Sequence, residues 1–182
     1  MRHLPLVLLV CLAGCGSLPA AELPAPAGVV PGAQRAGGFS VDPARDRLTR
    51  GGDAVATCRE PTAVALVDRG AKVAVLCGRE RVLDVYDART LKRLGRTGAG
   101  IGPVGLATDG GQLLYVTDVE GDALLVFHLR PRFQLIRRVS VIGGPYAIAF
   151  EAGELTIGLK RTGTVVRYVA GSRPVVRDTA PR

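Results

Sequence analysis

Apolar residues along this chain fall in short runs, cut by charged or glycine-containing turns. Ala63-Val64-Ala65-Leu66-Val67, Val73-Ala74-Val75-Leu76-Cys77, Leu113-Leu114-Tyr115-Val116 and Ala123-Leu124-Leu125-Val126-Phe127 are typical. Runs this short, rich in β-branched residues and bounded by Asp68-Arg69-Gly70, Asp109-Gly110-Gly111 or Glu151-Ala152-Gly153, predict strands joined by hairpins. No segment past the first residues shows apolar positions at helical spacing. The expected strands are 63–67, 72–77, 82–86 and 92–94, then 105–107, 113–117, 123–128 and 134–139, then 147–150, 154–159, 164–169 and 174–177.

The three sets are copies of one unit. Pro61, Pro103 and Pro145 recur every 42 residues, and each leads an apolar strand. Tyr86, Phe127 and Tyr168 recur every 41. A period in this range, with four short strands per unit, is the signature of β-propeller blades. One such set cannot bury its apolar face alone, so stacked units must make the core. Phe39-Ser40-Val41-Asp42 and Val55 to Cys58 read as the outer half of a further blade over 38–60. The predicted fold is all-β: a small or partial propeller of about three four-stranded blades plus an N-terminal half-blade, with repeats at 61–102, 103–144 and 145–182. Propellers usually have four to eight blades. The exposed edges of a shorter arc need covering. Association with an envelope protein or a second copy is therefore the favoured expectation. A monomer with edges blunted by arginines is the alternative.

The N-terminus is a targeting segment. Leu4 to Ala13, broken by Pro5, is too short for a bilayer span, which takes about 20 apolar residues. It ends at Leu12-Ala13-Gly14-Cys15, which resembles the lipobox of bacterial lipoproteins. The resemblance implies a signal peptide over 1–14, a diacylglycerol on Cys15, and an exported protein anchored to a cell membrane or envelope. Residues 15–37, with Pro19, Pro24, Pro26 and Pro31, read as an extended tether.

The formal charge is +8, and Lys72, Lys92 and Lys160 are the only lysines. A basic balance favours anionic partners such as lipid head groups or wall polymers. Scattered arginines with only 4% aromatics do not suit nucleic acid, and none is expected as a partner.

Candidate chemistry is sparse. Outside the leader, Cys58 and Cys77 form an even pair in a compartment that permits oxidation. Hairpin pairing puts Cys77 opposite about Thr62, so a disulfide needs the chain before that strand to curl back. Neither cysteine has a second ligand at metal spacing, and no metal or cofactor is expected. His128 is the only histidine past the leader, no serine sits in a nucleophile-elbow setting, and no catalytic residue is expected. Asp118, Glu120 and Asp122 alternate in one loop without the glycine and distal glutamate of a calcium loop.

Leu114-Tyr115-Val116-Thr117-Asp118, with Gly121 and Val126-Phe127, resembles the Tyr-Val-Thr-Asn propeller repeat, with Asp118 in place of the asparagine. Repeats one and three match more loosely, at Val75-Leu76-Cys77 and Ile157-Gly158-Leu159. In such propellers the loops between second and third strands ring one mouth of the channel. That implies a ligand face carrying Arg79, Glu80 and Arg81, then Asp118 and Glu120, then Lys160 and Arg161, with Arg96, Thr97 and Gly143-Gly144 between blades. Its cations suit a carboxylate or phosphate. The expected function is a lipid-anchored binding or assembly module without catalysis. The alternatives are a lactonase-like propeller hydrolase and an anion-binding sensory lipoprotein. Lactonases of the gluconolactonase type use an acid-and-asparagine metal site, and this chain has no asparagine.

Overall fold

Pro61, Pro103 and Pro145 each begin a strand. Proline lacks an N–H donor, so it is tolerated at a strand's first residue. In the computed structural model, which describes residues 34–180, these strands open three of four antiparallel sheets. The first blade comprises β1 (Arg35–Ala36), β2 (Phe39–Asp42), β3 (Arg47–Arg50) and β4 (Asp53–Ala56). The second comprises β5 (Pro61–Val67), β6 (Lys72–Cys77), β7 (Val82–Asp87) and β8 (Arg93–Gly98). The third comprises β9 (Pro103–Thr108), β10 (Leu113–Asp118), β11 (Ala123–His128) and β12 (Gln134–Ser140). The fourth comprises β13 (Pro145–Glu151), β14 (Glu154–Leu159), β15 (Val165–Val169) and β16 (Val175–Ala180). Each is a simple meander, with the first strand innermost and the fourth on the rim. The expected signal peptide and lipidated Cys15 fall outside the described residues.

Two expectations change. The N-terminal segment is a complete four-stranded sheet rather than half of one, because β1 lies inside the stretch read as tether and β3 lies between the two strands expected. Arg96 and Thr97 belong to β8, so the linker between the second and third blades is 99–102.

The core is a series of seams between blades. Alternation along β6 sends Val73, Val75 and Cys77 toward the first blade, where they meet Phe39, Val41 and Leu48. It sends Ala74 and Leu76 toward the third blade, against Leu106, Leu114 and Val116. Tyr115, Leu124 and Val126 then face Ile148, Leu155, Ile157 and Tyr168 of the fourth blade. Each buried Val, Leu, Ile or Phe among them contributes roughly 1.5–3 kcal/mol.

The sheets do not close into a ring. The two free flanks differ from the seams. On β14, Thr156 and Gly158 hold the positions that Ala74 and Leu76 fill in the second blade. On the first blade, Ser40 and Thr49 face outward and share a 2.6 Å hydrogen bond. Terminal repeats with polar outer faces are what an open stack needs for solubility.

Candidate functional site

The expected ligand face is the end of the arc that carries the linkers and the loops between second and third strands. Those loops end in the left-handed region in every blade: Asp46 (φ 53°), Arg81 (φ 58°), Asp122 (φ 47°) and Gly163 (φ 67°). The first three each accept a backbone N–H from the following linker. Thr57 donates to Asp46 at 2.8 Å, Ala99 to Arg81 at 2.7 Å, and Val141 to Asp122 at 2.8 Å. The donors stand 42 residues apart, so the first blade obeys the same rule as the others.

The two residues before each repeat proline expose further N–H groups, and carboxylates take all of them. Arg59 donates to Glu80 at 2.8 Å and Glu60 to Asp46 at 2.7 Å. Ile101 and Gly102 donate to Asp118 at 3.1 and 2.8 Å. Gly143 and Gly144 donate to Asp122 at 3.1 and 2.9 Å. Charge-assisted bonds of this kind are the stronger class. Gly144's N–H and the Arg161 guanidinium hold the Asp122 carboxyl below the usual carboxylate range.

Asp118 is fully buried. It also accepts the Gly121 N–H at 3.0 Å and lies 3.5 Å from Arg138. A Cβ on Gly100 would sit 2.4 Å from its carboxylate, so that position must be bare. In the second blade Cys77 occupies the place of Asp118, since each is paired with its repeat proline. Cys58 occupies the place of Gly100, three residues before the proline. The structure joins Cys58 to Cys77 in a disulfide, with Cα atoms 6.1 Å apart. In the fourth blade the same place holds Leu159, which packs 3.1 Å from the Cβ position of Gly143. One position thus fastens the linker three ways: by a covalent bond, by hydrogen bonds and by apolar contact. Cys77 pairs with Pro61 rather than Thr62 because the ladder shifts register between Pro61 and Ala63.

The expected site residues therefore separate. Asp118 and Asp122 face different linkers and are structural, while Glu120 covers Gly102, within 2.6 Å of its Cβ position. Arg161 is bound to Asp122. Arg79, Arg81 and Lys160 are exposed, and among the described residues none of the three makes a side-chain ion pair. No cluster of three or more metal-ligating side chains occurs among the described residues.

A buried ionic group went unnoticed in the sequence. Asp84 is wholly buried and receives Arg96 through two bonds, Nε to Oδ1 at 2.7 Å and Nη2 to Oδ2 at 2.8 Å. The Tyr86 hydroxyl lies 3.2 Å from the same carboxylate, and burial followed by the Asp84 charge raises its pKa. Arg96 also reaches Glu80 at 3.2 Å, so the network runs from the interior to the Arg59 linker. Its signal was one acid inside the run Val82-Leu83-Asp84-Val85-Tyr86, with an arginine in register on the next strand.

No protein-family profile and no curated protein sequence match the chain. Solved propeller structures do. A protein from Bacteroides uniformis assigned as a 6-phosphogluconolactonase superposes with a TM-score of 0.67 at 11% identity, over 76% of this chain and 49% of its own. The periplasmic gluconolactonase PpgL of Pseudomonas aeruginosa gives 0.63 at 16% identity, over 78% and 49%. The dihydro-heme d1 dehydrogenase NirN gives 0.64 at 14% identity, over 76% and 34%. The chain spans about half the length of the first two or less, and the likeness is one of fold.

Proposed function

We propose that the protein is an exported, lipid-anchored envelope module that binds rather than transforms its partner. The reading rests on the use made of the carboxylates at the linker end. Asp118, Asp122, Glu80 and Asp46 are occupied with backbone N–H groups. A carboxylate so engaged is poorly placed to exchange protons with a substrate. What that face leaves unengaged is cationic on balance, with Arg79, Arg81 and Lys160 against the carboxylates of Glu60 and Glu120. An anionic group on an envelope protein or polymer is the partner these side chains fit. The anchor follows from the Leu12-Ala13-Gly14-Cys15 motif, and two acyl chains would hold the domain at a membrane. Labelled-palmitate incorporation and membrane fractionation test it. The wild type should carry label and sediment with membranes, and Cys15→Ala should do neither. A membrane-bound, unlabelled Cys15→Ala protein would overturn the anchor.

A lactonase-like hydrolase is the second reading, favoured by the fold shared with PpgL and the Bacteroides uniformis protein. Hydrolysis of gluconolactone and its 6-phosphate, compared with the spontaneous rate and repeated with a chelator, decides it. Chelator-sensitive turnover would replace the binding reading.

A further inference from the structure

The opposite end of the arc carries three turns between third and outer strands, over 88–92, 129–133 and 170–174, each continued by the first residues of its outer strand. Each begins in the same way. The N–H of Ala88 donates to Ala71 at 3.0 Å, that of Leu129 to Gln112 at 3.0 Å, and that of Ala170 to Gly153 at 2.8 Å. The turns are therefore pinned at equivalent points on the neighbouring hairpins. Their contents also repeat: basic residues first, then exposed aliphatics where the outer strand starts. Arg89, Lys92 and Arg93 precede Leu94. Arg130 and Arg132 precede Leu135, and Arg173 precedes Val175-Val176. The three turns hold no acid.

Folding leaves the aliphatics in water. Leu94 is 51% exposed, Leu135 44%, Val175 63% and Val176 53%. Leu94, Leu135 and Val176 recur every 41 residues, each beside the basic residues of its turn, a pairing that the exposed Ile101 and Ile142 lack in the uncharged linkers 99–102 and 141–144. Every basic residue of the strip is exposed. Arg130 bonds Asp68 at 3.1 Å and Arg93 lies 3.8 Å from Asp84, while Arg89, Lys92, Arg132 and Arg173 make no ion pair among the described residues. Acids on nearby segments are largely engaged. Asp87 and Asp109 bind N–H groups of their own turns, and Asp68 binds Lys72 and Arg130. Glu151, exposed on the hairpin whose Gly153 pins the third turn, is the exception, and the strip remains basic on balance. Between the first two turns runs a groove of about 430 Å³, walled by Leu94, Leu129 and Phe133 with Arg132 at its edge.

We propose that these three turns dock the arc on an anionic bilayer surface, with aliphatics entering the head-group region and arginines meeting lipid phosphates. The charge of the strip is complementary to anionic lipid, and the pairing of cation with short aliphatic suits an interface rather than a dry pocket. The proposal rests on the reading of a protein held beside a membrane, but its surface needs no lipid on Cys15.

The chain has no tryptophan, so single reporters can be placed cleanly. Full-length unlipidated protein (Cys15→Ser) carrying Leu135→Trp is mixed with vesicles of phosphatidylglycerol and phosphatidylcholine, or of phosphatidylcholine alone. The companion reporter is Ile142→Trp, 78% exposed in a linker at the other end. The expected result is a blue shift for the reporter at 135 only, on the anionic vesicles only. Changing Arg89, Arg132 and Arg173 to Gln should weaken partition about 100-fold, at roughly fivefold per charge. Circular dichroism checks that the variant is folded. Vesicle binding through the apolar leader alone would leave both tryptophans unshifted and ignore lipid charge, and would overturn the proposal. So would binding to a soluble polyanion with no binding to vesicles. Absence of lipid on Cys15 would appear in the labelling experiment and not here.

Discussion

Asp118→Ala tests whether carboxylate latches hold the arc together. The substitution removes the acceptor for three N–H groups, at Ile101, Gly102 and Gly121, and for Arg138. A hydrogen bond to a charged acceptor contributes about 1.5–3 kcal/mol, and the donors here are partly buried, so water recovers some of each loss. Taking about 1–1.5 kcal/mol per donor gives a cost of about 3–5 kcal/mol, similar to breaking other buried ionic pairs. For a domain of this size that corresponds to a fall in Tm of about 10 °C. Asp118→Asn keeps one acceptor oxygen, which can serve two donors, so its cost should be about 1–2 kcal/mol. Urea and thermal unfolding by circular dichroism measure both, and hydrogen exchange at Gly102 locates the loss. A cost below about 1 kcal/mol for the alanine variant would refute the latch. An asparagine variant as unstable as the alanine one would show that charge rather than geometry matters.

Reducing the Cys58–Cys77 bond, which closes a loop with a sequence separation of 19, should lower stability by about 3 kcal/mol. An unchanged urea midpoint in dithiothreitol would count against that. Arg81→Gly removes a non-glycine residue from a left-handed position and loses no ion pair, so it should raise stability by about 0.5–1 kcal/mol; a lower urea midpoint would contradict it. Asp42, Asp68, Asp87 and Asp122 all have folded pKa values below the ordinary 3.8. Their stabilisation is complete above that value and is lost as pH falls through the folded values, so stability should hold above about pH 5 and decline below about 4. Asp122→Asn should flatten the decline in an acid titration of Tm. With polar residues on both free flanks, light scattering of the unlipidated chain should give a monomer near 19.0 kDa; a stable dimer would mean that those flanks pair after all.

The repeat was legible because one physical constraint recurs: a proline at the start of each inner strand, followed by apolar residues that must face two seams. Strand positions in the second to fourth blades followed from that pattern. The first blade was harder to read because its strands are two to four residues long. With so few residues, alternation in Ser40, Asp42, Arg47 and Thr49 resembles an exposed loop. At the linker end the sequence showed which acids were present but not their targets. Asp118 and Asp122 lie four residues apart, yet one turns to the linker before its blade and the other to the linker after it. Backbone N–H groups carry no sequence signal, so a latch made from them is hidden until the fold is known. Asp84 was similarly concealed, since its partner Arg96 lies across a strand pair.

The placement of latches bears on how such a chain can lengthen. Residues 103–144 contain Asp118, which fastens the linker ahead of the blade, and both Asp122 and the Gly143-Gly144 pair that it holds behind. A tandem copy of that segment would keep the Asp122 latch behind it but lose the Asp118 latch ahead, because Asp118 would meet Ile142 in place of Gly100, where no Cβ fits. A copy of 61–102 would fail in the same way, because Cys77 would meet Gly100 in place of Cys58 and leave a lone thiol in the seam. Each blade is matched to the linker ahead of it, so duplicating either one leaves a fastening without its counterpart.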